Sequence, residues 1–255
     1  MDTLATRWAR LEPHTLVVGP DDDRPRPAVI LFHGCGGMRP HLPLYAEAAK
    51  AAGWRAFIVD SYAPRGWSRA FALATVCSGL RLRGDKRAGD VLAALHGLSQ
   101  RQDVDASRIV LAGWSHGGWG IMEALSAART PGTLGVRNPG EVALDGVKSV
   151  YLCYPYIGIA ALNRMRPWTH CPKTLAVISR TDHLTSVGNA ERVHAMVRNC
   201  GADVETWIAE GTHAFDEPTS APPMRHDPDL TSEAIRRFSA LLADTAVAPS
   251  VTMRE

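Results

Sequence analysis

No stretch of this sequence approaches the ~18 consecutive apolar residues of a membrane span. The opening MDTLATRWARLEP has no apolar core of the kind that marks a secretory signal. The expectation is a cytoplasmic protein without membrane contact. Neither sign of charge dominates: 28 Lys and Arg stand against 26 Asp and Glu, so the whole-molecule field offers nothing to nucleic acid. Cysteine is scarce. Five residues, Cys35, Cys77, Cys153, Cys171 and Cys200, are odd in number and share no C-x-x-C spacing. That argues against a zinc site or a disulfide framework and predicts reduced thiols. Internal repeats and low-complexity segments are also missing.

What is present is an ordinary globular composition, 45% hydrophobic and 21% charged over 255 residues. The length suits one large α/β domain and is too short for two with a linker. That domain is expected over 1–255, with its core at about 26–245. Short aliphatic runs read as buried strands at His14–Val18, Ala28–Phe32, Trp54–Val59, Arg108–Ala112, Val147–Cys153, Thr174–Ile178 and Val204–Ala209. Between them, apolar residues recur at helical spacing: Leu44 to Ala52, Ala88 to Leu98, Ile121 to Ala128, Ala190 to Val197 and Ala234 to Leu242. Strands alternating with helices predict a mostly parallel, doubly wound sheet with helices on both faces. Ligands bind such sheets outside the carboxyl ends of the strands. Two segments break the rhythm, 61–85 and 154–172, and loops this long predict pocket-forming excursions.

The chemistry gathers around RIVLAGWSHGGWGIME, Arg108 to Glu123. A strand runs into Gly113-Trp114-Ser115-His116-Gly117 and then into a helix, the context that makes G-x-S-x-G a nucleophile elbow. Glycines flank the serine because side chains there would collide with the neighbouring strand or helix. A hydroxyl attacks well only when a base takes its proton and a third group orients the base. Ten histidines are available, so position must choose. Asp182 in SRTDH follows one late strand, and His213 in EGTHAF follows the last, both on the Ser115 side of the sheet. His226 is held in reserve, and His183 sits too close to the acid to reach the serine. The backbone N–H groups of Cys35, in HGCGG after the second strand, and of His116 are the expected oxyanion donors. The Cys35 thiol itself is the weaker idea. A metal site from His33, Cys35, Asp182 and His213 lacks a helical i,i+4 ligand pair, so no metal or cofactor is expected.

Together, LFHGCGG, VDSYAPRG, GWSHGG, the Asp182 loop and GTHAF resemble the α/β-hydrolase superfamily and, within it, the dienelactone hydrolase family, over about residues 26–245. The resemblance implies an α/β-hydrolase fold, and a serine hydrolase cleaving a small carboxylic ester or lactone through an acyl-enzyme. The chain departs from the founding dienelactone hydrolases in one respect: they use cysteine where Ser115 stands, which favours a broader ester or lactone substrate. A peptidase, a thioesterase and a non-catalytic ligand-binding relative are the alternatives. Arg65 and Arg81, among the basic residues crowding 61–85, are expected to reach an anionic substrate group. Trp114 and Tyr154 are expected in the pocket wall. The expected partner is a small-molecule ester or lactone; the sequence says nothing of oligomeric state.

Overall fold

The computed structural model describes residues 1–247; residues 248–255 of the expected domain lie outside the described residues. Seven strands make one sheet: β1 (Thr15–Val18), β2 (Arg26–Phe32), β3 (Arg55–Val59), β4 (Val104–Trp114), β5 (Val147–Cys153), β6 (Lys173–Thr181) and β7 (Val204–Thr212). Their spatial order is β1-β3-β2-β4-β5-β6-β7. Only β1 runs antiparallel, pairing with β3 at the edge; the other neighbours are parallel. The helices are α1 (Leu4–Leu11), α2 (His41–Ala51), α3 (Arg69–Thr75), α4 (Gly84–Leu98), α5 (His116–Ser126), α6 (Val187–Asn199) and α7 (Pro228–Val247).

Aliphatic residues run continuously through the inner strands because both faces of a covered parallel sheet are dry. The period of two then sorts them. Val29, Leu31, Val110, Ala112 and Val177 face α2 and α7, meeting Leu42, Tyr45, Phe238 and Leu242. Ile30, Phe32, Leu111, Leu152 and Ala176 face the other way, toward α4, α5 and α6. Phe238 is fully buried, so truncating it to alanine removes an anchor contributing about 3–5 kcal/mol. The exposed Leu16 and Val17 lie on opposite faces of edge strand β1, which is poorly covered on both.

The differences from expectation have local causes. Strand β4 begins at Val104, earlier than its apolar run, because Val104 pairs with Arg26 of β2 ahead of an irregularity over 105–108, where the chain is largely polar and only partly covered. Helix α1 is not legible in an N-terminus with a single turn or two of pattern. It presents Leu4, Trp8 and Leu11 inward, and the Thr3 hydroxyl caps it by accepting the Thr6 N–H at 3.1 Å. The 61–85 excursion carries a 3-10 turn (Ala63–Arg65) and α3, capped by Ser68. No helix among the described residues is long and apolar enough to cross a membrane.

Cysteine usage is a correction. Cys35 and Cys77 form a disulfide, with Cα atoms 5.3 Å apart, where five reduced thiols were expected. The partners are 42 residues apart in sequence and share no spacing rule. They meet because the loop after β2 and the segment after α3 both fold over the carboxyl edge of the sheet. Cys153, Cys171 and Cys200 are free.

From β2 the chain turns one way to β3, then crosses back so that β4 flanks β2 on its other side. The crevice outside the carboxyl ends of β2 and β4 is thus the switch point where doubly wound sheets take their ligands.

Candidate active site

Strand β4 ends at Trp114, and Ser115 stands between it and α5 with φ 49° and ψ −111°. For a residue with a side chain, this region costs about 1–3 kcal/mol and persists only where the surroundings over-determine it. They do. The Ser115 N–H donates to the Cys153 carbonyl at 3.0 Å, and the Ser115 carbonyl accepts from the N–H groups of Trp119 and Tyr156 at 3.0 and 3.1 Å. A Cβ on Gly117 would lie 2.1 Å from the Phe32 carbonyl oxygen, and one on Gly113 would lie 2.6 Å from the Gly118 nitrogen. Glycine at both positions lets β2, β4 and α5 close around the turn.

A chain of hydrogen bonds leads away from that serine. Its Oγ lies 2.8 Å from His213 Nε2, and His213 Nδ1 lies 2.7 Å from Asp182 Oδ2. The carboxylate can only accept, so Nδ1 carries the ring proton and Nε2 presents its lone pair to the serine hydroxyl. The other Asp182 oxygen accepts the N–H groups of Leu184 and Thr185, at 2.7 and 3.1 Å, which fixes the carboxylate in plane. Asp182 follows β6 and His213 follows β7. His226 instead lines a separate depression beside Pro222 and Pro223.

The glycine-rich loop after β2 passes beside the serine: a Cβ on Gly34 would come 3.4 Å from Ser115 Cβ. Among the described loop and cap hydrogen bonds, neither the Cys35 nor the His116 N–H is a donor. Behind the loop lie two buried imidazoles. His33 Nε2 accepts the Ser61 N–H at 3.1 Å, so Nδ1 carries the proton, and burial and the Arg87 charge push its pKa well below the ordinary range. Asp60 lies 3.8 Å from Nε2, but that nitrogen bears a lone pair and the contact is no ion pair. His116 Nε2–H donates to the Leu82 carbonyl at 2.7 Å; burial, then Arg87, push its pKa down to about 3. Both rings are neutral scaffolding. Among the described residues no three His, Cys, Asp or Glu side chains converge as metal ligands.

Two clefts open at Ser115. The larger, about 300 Å³, is bordered by His213, His183, Trp114, Tyr154, Leu73 and Met224. The smaller, about 220 Å³, is bordered by His116, Trp119, Tyr156 and Ile159. Trp114 and Tyr154 therefore lie where the sequence puts them, in a pocket wall. Arg65 and Arg81 do not. Arg65 makes a two-pronged ion pair with Asp90, at 2.8 and 3.0 Å, and Arg7 joins from α1 at 2.7 Å. Burial opposes the Asp90 charge, but Arg65, Arg87 and Arg7 outweigh it and hold the carboxyl down to about 2. Arg81 is exposed, with its guanidinium over the Phe71 ring. The arginines that do border the clefts are Arg69 and Arg39 in the larger and Arg83 in the smaller. Arg39 is paired with Glu217.

Asp216, three residues past His213, is a further site residue that sequence reasoning misses. Its fully buried carboxylate accepts Tyr45 Oη–H and Trp114 Nε1–H, each at 2.9 Å, and Tyr154 Oη–H at 2.5 Å. It thereby pins both aromatic wall residues, and the Tyr154 ring packs 4.8 Å from His213. The signal was present in HAFDEP, as an acid beside an aromatic, but nothing local says that it points inward. His183, on the Asp182 turn, packs edge-on to His213 at 5.7 Å.

Comparison with known proteins agrees with this architecture. Thermogutta terrifontis esterase 2 phosphoramylated by tabun superposes with a TM-score of 0.68 at 15% identity, over 92% of this chain and 90% of the other. A dienelactone hydrolase-like promiscuous phosphotriesterase from metagenomic libraries gives 0.68 at 17% identity, over 91% and 92%. The same Thermogutta esterase with propionate bound gives 0.65 at 13%, over 92% and 90%. At these identities the likeness is one of fold. None of the curated proteins matches. The sequence model of the dienelactone hydrolase family matches residues 14–135, which include β2, its glycine-rich loop and the Ser115 elbow. The chain therefore has the α/β-hydrolase fold, and its residues 14–135 are similar in sequence to the dienelactone hydrolase family.

Proposed function

We propose that this protein is a serine hydrolase that cleaves small carboxylic esters or lactones through an acyl-enzyme. One observation carries the reading: the unbroken relay from Ser115 Oγ through His213 to Asp182, at 2.8 and 2.7 Å, on a strained elbow at the open end of the sheet. Ser115 attacks the carbonyl carbon while His213 Nε2 takes its proton. Asp182 orients the ring and stabilises the imidazolium that forms. The carbonyl oxygen, now negative, is received by the N–H groups of Cys35 and His116. His213 then hands the proton to the departing alkoxide, leaving Ser115 acylated. In the second half His213 takes a proton from water, hydroxide adds to the acyl carbon, and Ser115 leaves with its proton restored. No metal or redox group enters these steps.

The organophosphorus adduct on the Thermogutta esterase and the phosphotriesterase activity of the metagenomic enzyme suggest the probe. A fluorophosphonate should label the protein stoichiometrically, and Ser115→Ala should abolish labelling. Equal labelling of that variant would remove Ser115 from the reaction. An ester and lactone panel beside peptide and thioester substrates then fixes the acyl class.

A further inference from the structure

We propose that the two clefts divide the substrate, the acyl group entering the smaller one and the leaving alcohol the larger, with the Cys35–Cys77 bridge as the partition. The proposal rests on the reading of Ser115 as nucleophile.

Among the described residues, only four border both clefts: Cys35, Cys77, Ser115 and Leu184. The clefts therefore meet at the reacting oxygen, beneath a neck made by the disulfide on one side and the Asp182 turn on the other. Their chemistry differs at one decisive point, because His213 borders the larger cleft and not the smaller. The tetrahedral carbon has four substituents. One is Ser115 Oγ, and a second, the oxyanion, points at the Cys35 and His116 N–H groups. A third, the leaving oxygen, must lie within reach of His213 Nε2, which protonates it, and so it lies on the larger-cleft side. The fourth substituent, the acyl chain, is directed past His116 into the smaller cleft.

That cleft is built for a flat or compact apolar group. Trp119 and Tyr156 pack with ring centroids 4.8 Å apart, and Ile159 stands 94% exposed at the mouth. The wall is rigid. Trp119 Nε1–H donates to Glu123 at 2.8 Å, the same carboxylate oxygen accepts the Leu162 N–H at 2.7 Å, and the Tyr156 N–H donates to the Ser115 carbonyl. Glu123 thus fixes the indole and the loop that faces it together. The larger cleft keeps the pinned Trp114 and Tyr154 beside His213, but the rest of its wall includes the flexible side chains of Leu73, Met224 and Arg69, which tolerate alcohols of many shapes. The structure thus assigns an aromatic or short branched acyl group and a loosely specified leaving group.

The experiment uses two ester series on the full chain. One keeps p-nitrophenol as leaving group and varies the acyl part from acetyl through butyryl to benzoyl. The other keeps benzoyl and varies the alcohol. Each protein is first titrated with a fluorophosphonate. Failure of the unmutated protein to label would strike at the acyl-enzyme reading and not at the division of the clefts. Tyr156→Ala should lower the benzoyl-to-acetyl ratio of kcat/KM by roughly tenfold, the scale of one lost aromatic contact, with alcohol discrimination unchanged. Met224→Ala should do the reverse. Decay of the common benzoyl-enzyme, followed after the alcohol has left, should respond to Tyr156→Ala and not to Met224→Ala. With labelling intact, the proposal is overturned if the two variants exchange effects, if each alters both series, or if neither alters either.

Discussion

Lowering the pH from 7.5 to 5.5 should destabilise this protein by about 4 kcal/mol, through three buried imidazoles. His33, His116 and His194 are all enclosed. Burial, with help from Arg87, drives His33 well below its ordinary pKa and takes His116 down to about 3. Burial, with help from Arg198, takes His194 down to about 4. In the unfolded chain each titrates near 6.5. Because the folded values are the lower ones, the unfolded chain binds protons first as pH falls. The contribution is therefore whole above about 6.5 and drains away as pH drops from there toward the folded values. One unit below 6.5, each unfolded imidazole is about nine-tenths protonated, which is worth about 1.4 kcal/mol of unfolding free energy, or about 4 kcal/mol for three. Against a typical total of about 5–15 kcal/mol, that is a large share. Asp90, held at about 2, contributes below this window. Glu123, whose carboxyl is raised by burial, offsets part of the loss at the acid end. Urea unfolding followed by tryptophan fluorescence at both pH values, with an unchanged slope m, measures the difference. His194→Gln, on α6 beside Thr206, should remove about a third of it. Equal midpoints at pH 7.5 and 5.5, or a His194→Gln protein with the full pH dependence, would refute the reasoning.

Four further outcomes are expected. His213→Ala should cut kcat by at least about 10³-fold while His226→Ala leaves it within a few-fold; steady-state rates on p-nitrophenyl butyrate compare them, and the opposite order would exchange their roles. Arg65→Ala should cost about 3–5 kcal/mol in chemical denaturation, because it strips a buried carboxylate of its two-pronged partner. Arg69→Ala or Arg83→Ala should leave stability near unchanged yet lower any preference for carboxylate-bearing over neutral esters by roughly 10- to 150-fold in kcat/KM; matched anionic and neutral substrates read this directly. Cys77→Ser should destabilise by up to about 4 kcal/mol on the chain-entropy account of a bridge spanning 42 residues, and should raise kcat/KM for acyl groups larger than benzoyl. A melting curve and the acyl series test the two halves separately.

The inner strands β2 to β6 were legible because aliphatic runs covered on both faces leave a continuous apolar trace, and the edge strands β1 and β7, only partly covered, were legible from shorter ones. Boundaries were less so. Strands β6 and β7 continue to Thr181 and Thr212 through residues that pair with each other while half in solvent, so their polarity hides them. Helix α3 buries little beyond Ala72 and gives no periodicity to read. At the site, Ser115, Asp182 and His213 were nameable because each sits just past a strand end, a property of position. Arg65 was misread because its fate depends on Asp90, 25 residues on, in a helix that covers the carboxylate completely. The Cys35–Cys77 bond and the inward turn of Asp216 likewise depend on where distant loops come to rest, which no local pattern encodes.

The turn after β6 has two duties at once. Asp182 gains its fixed pose from the N–H groups of Leu184 and Thr185, and Leu184 forms one side of the neck between the clefts. Reshaping the neck there moves the acid, so a descendant that changed this turn to admit a new substrate would lose rate in the same step. The segments 61–85 and 154–172 carry no member of the relay. Away from Arg65, Cys77, Tyr154 and Tyr156, insertions and substitutions in them can remodel either cleft while the proton path stays in place. Diversification of specificity from this scaffold should therefore accumulate in those two segments, and directed evolution is best confined to them.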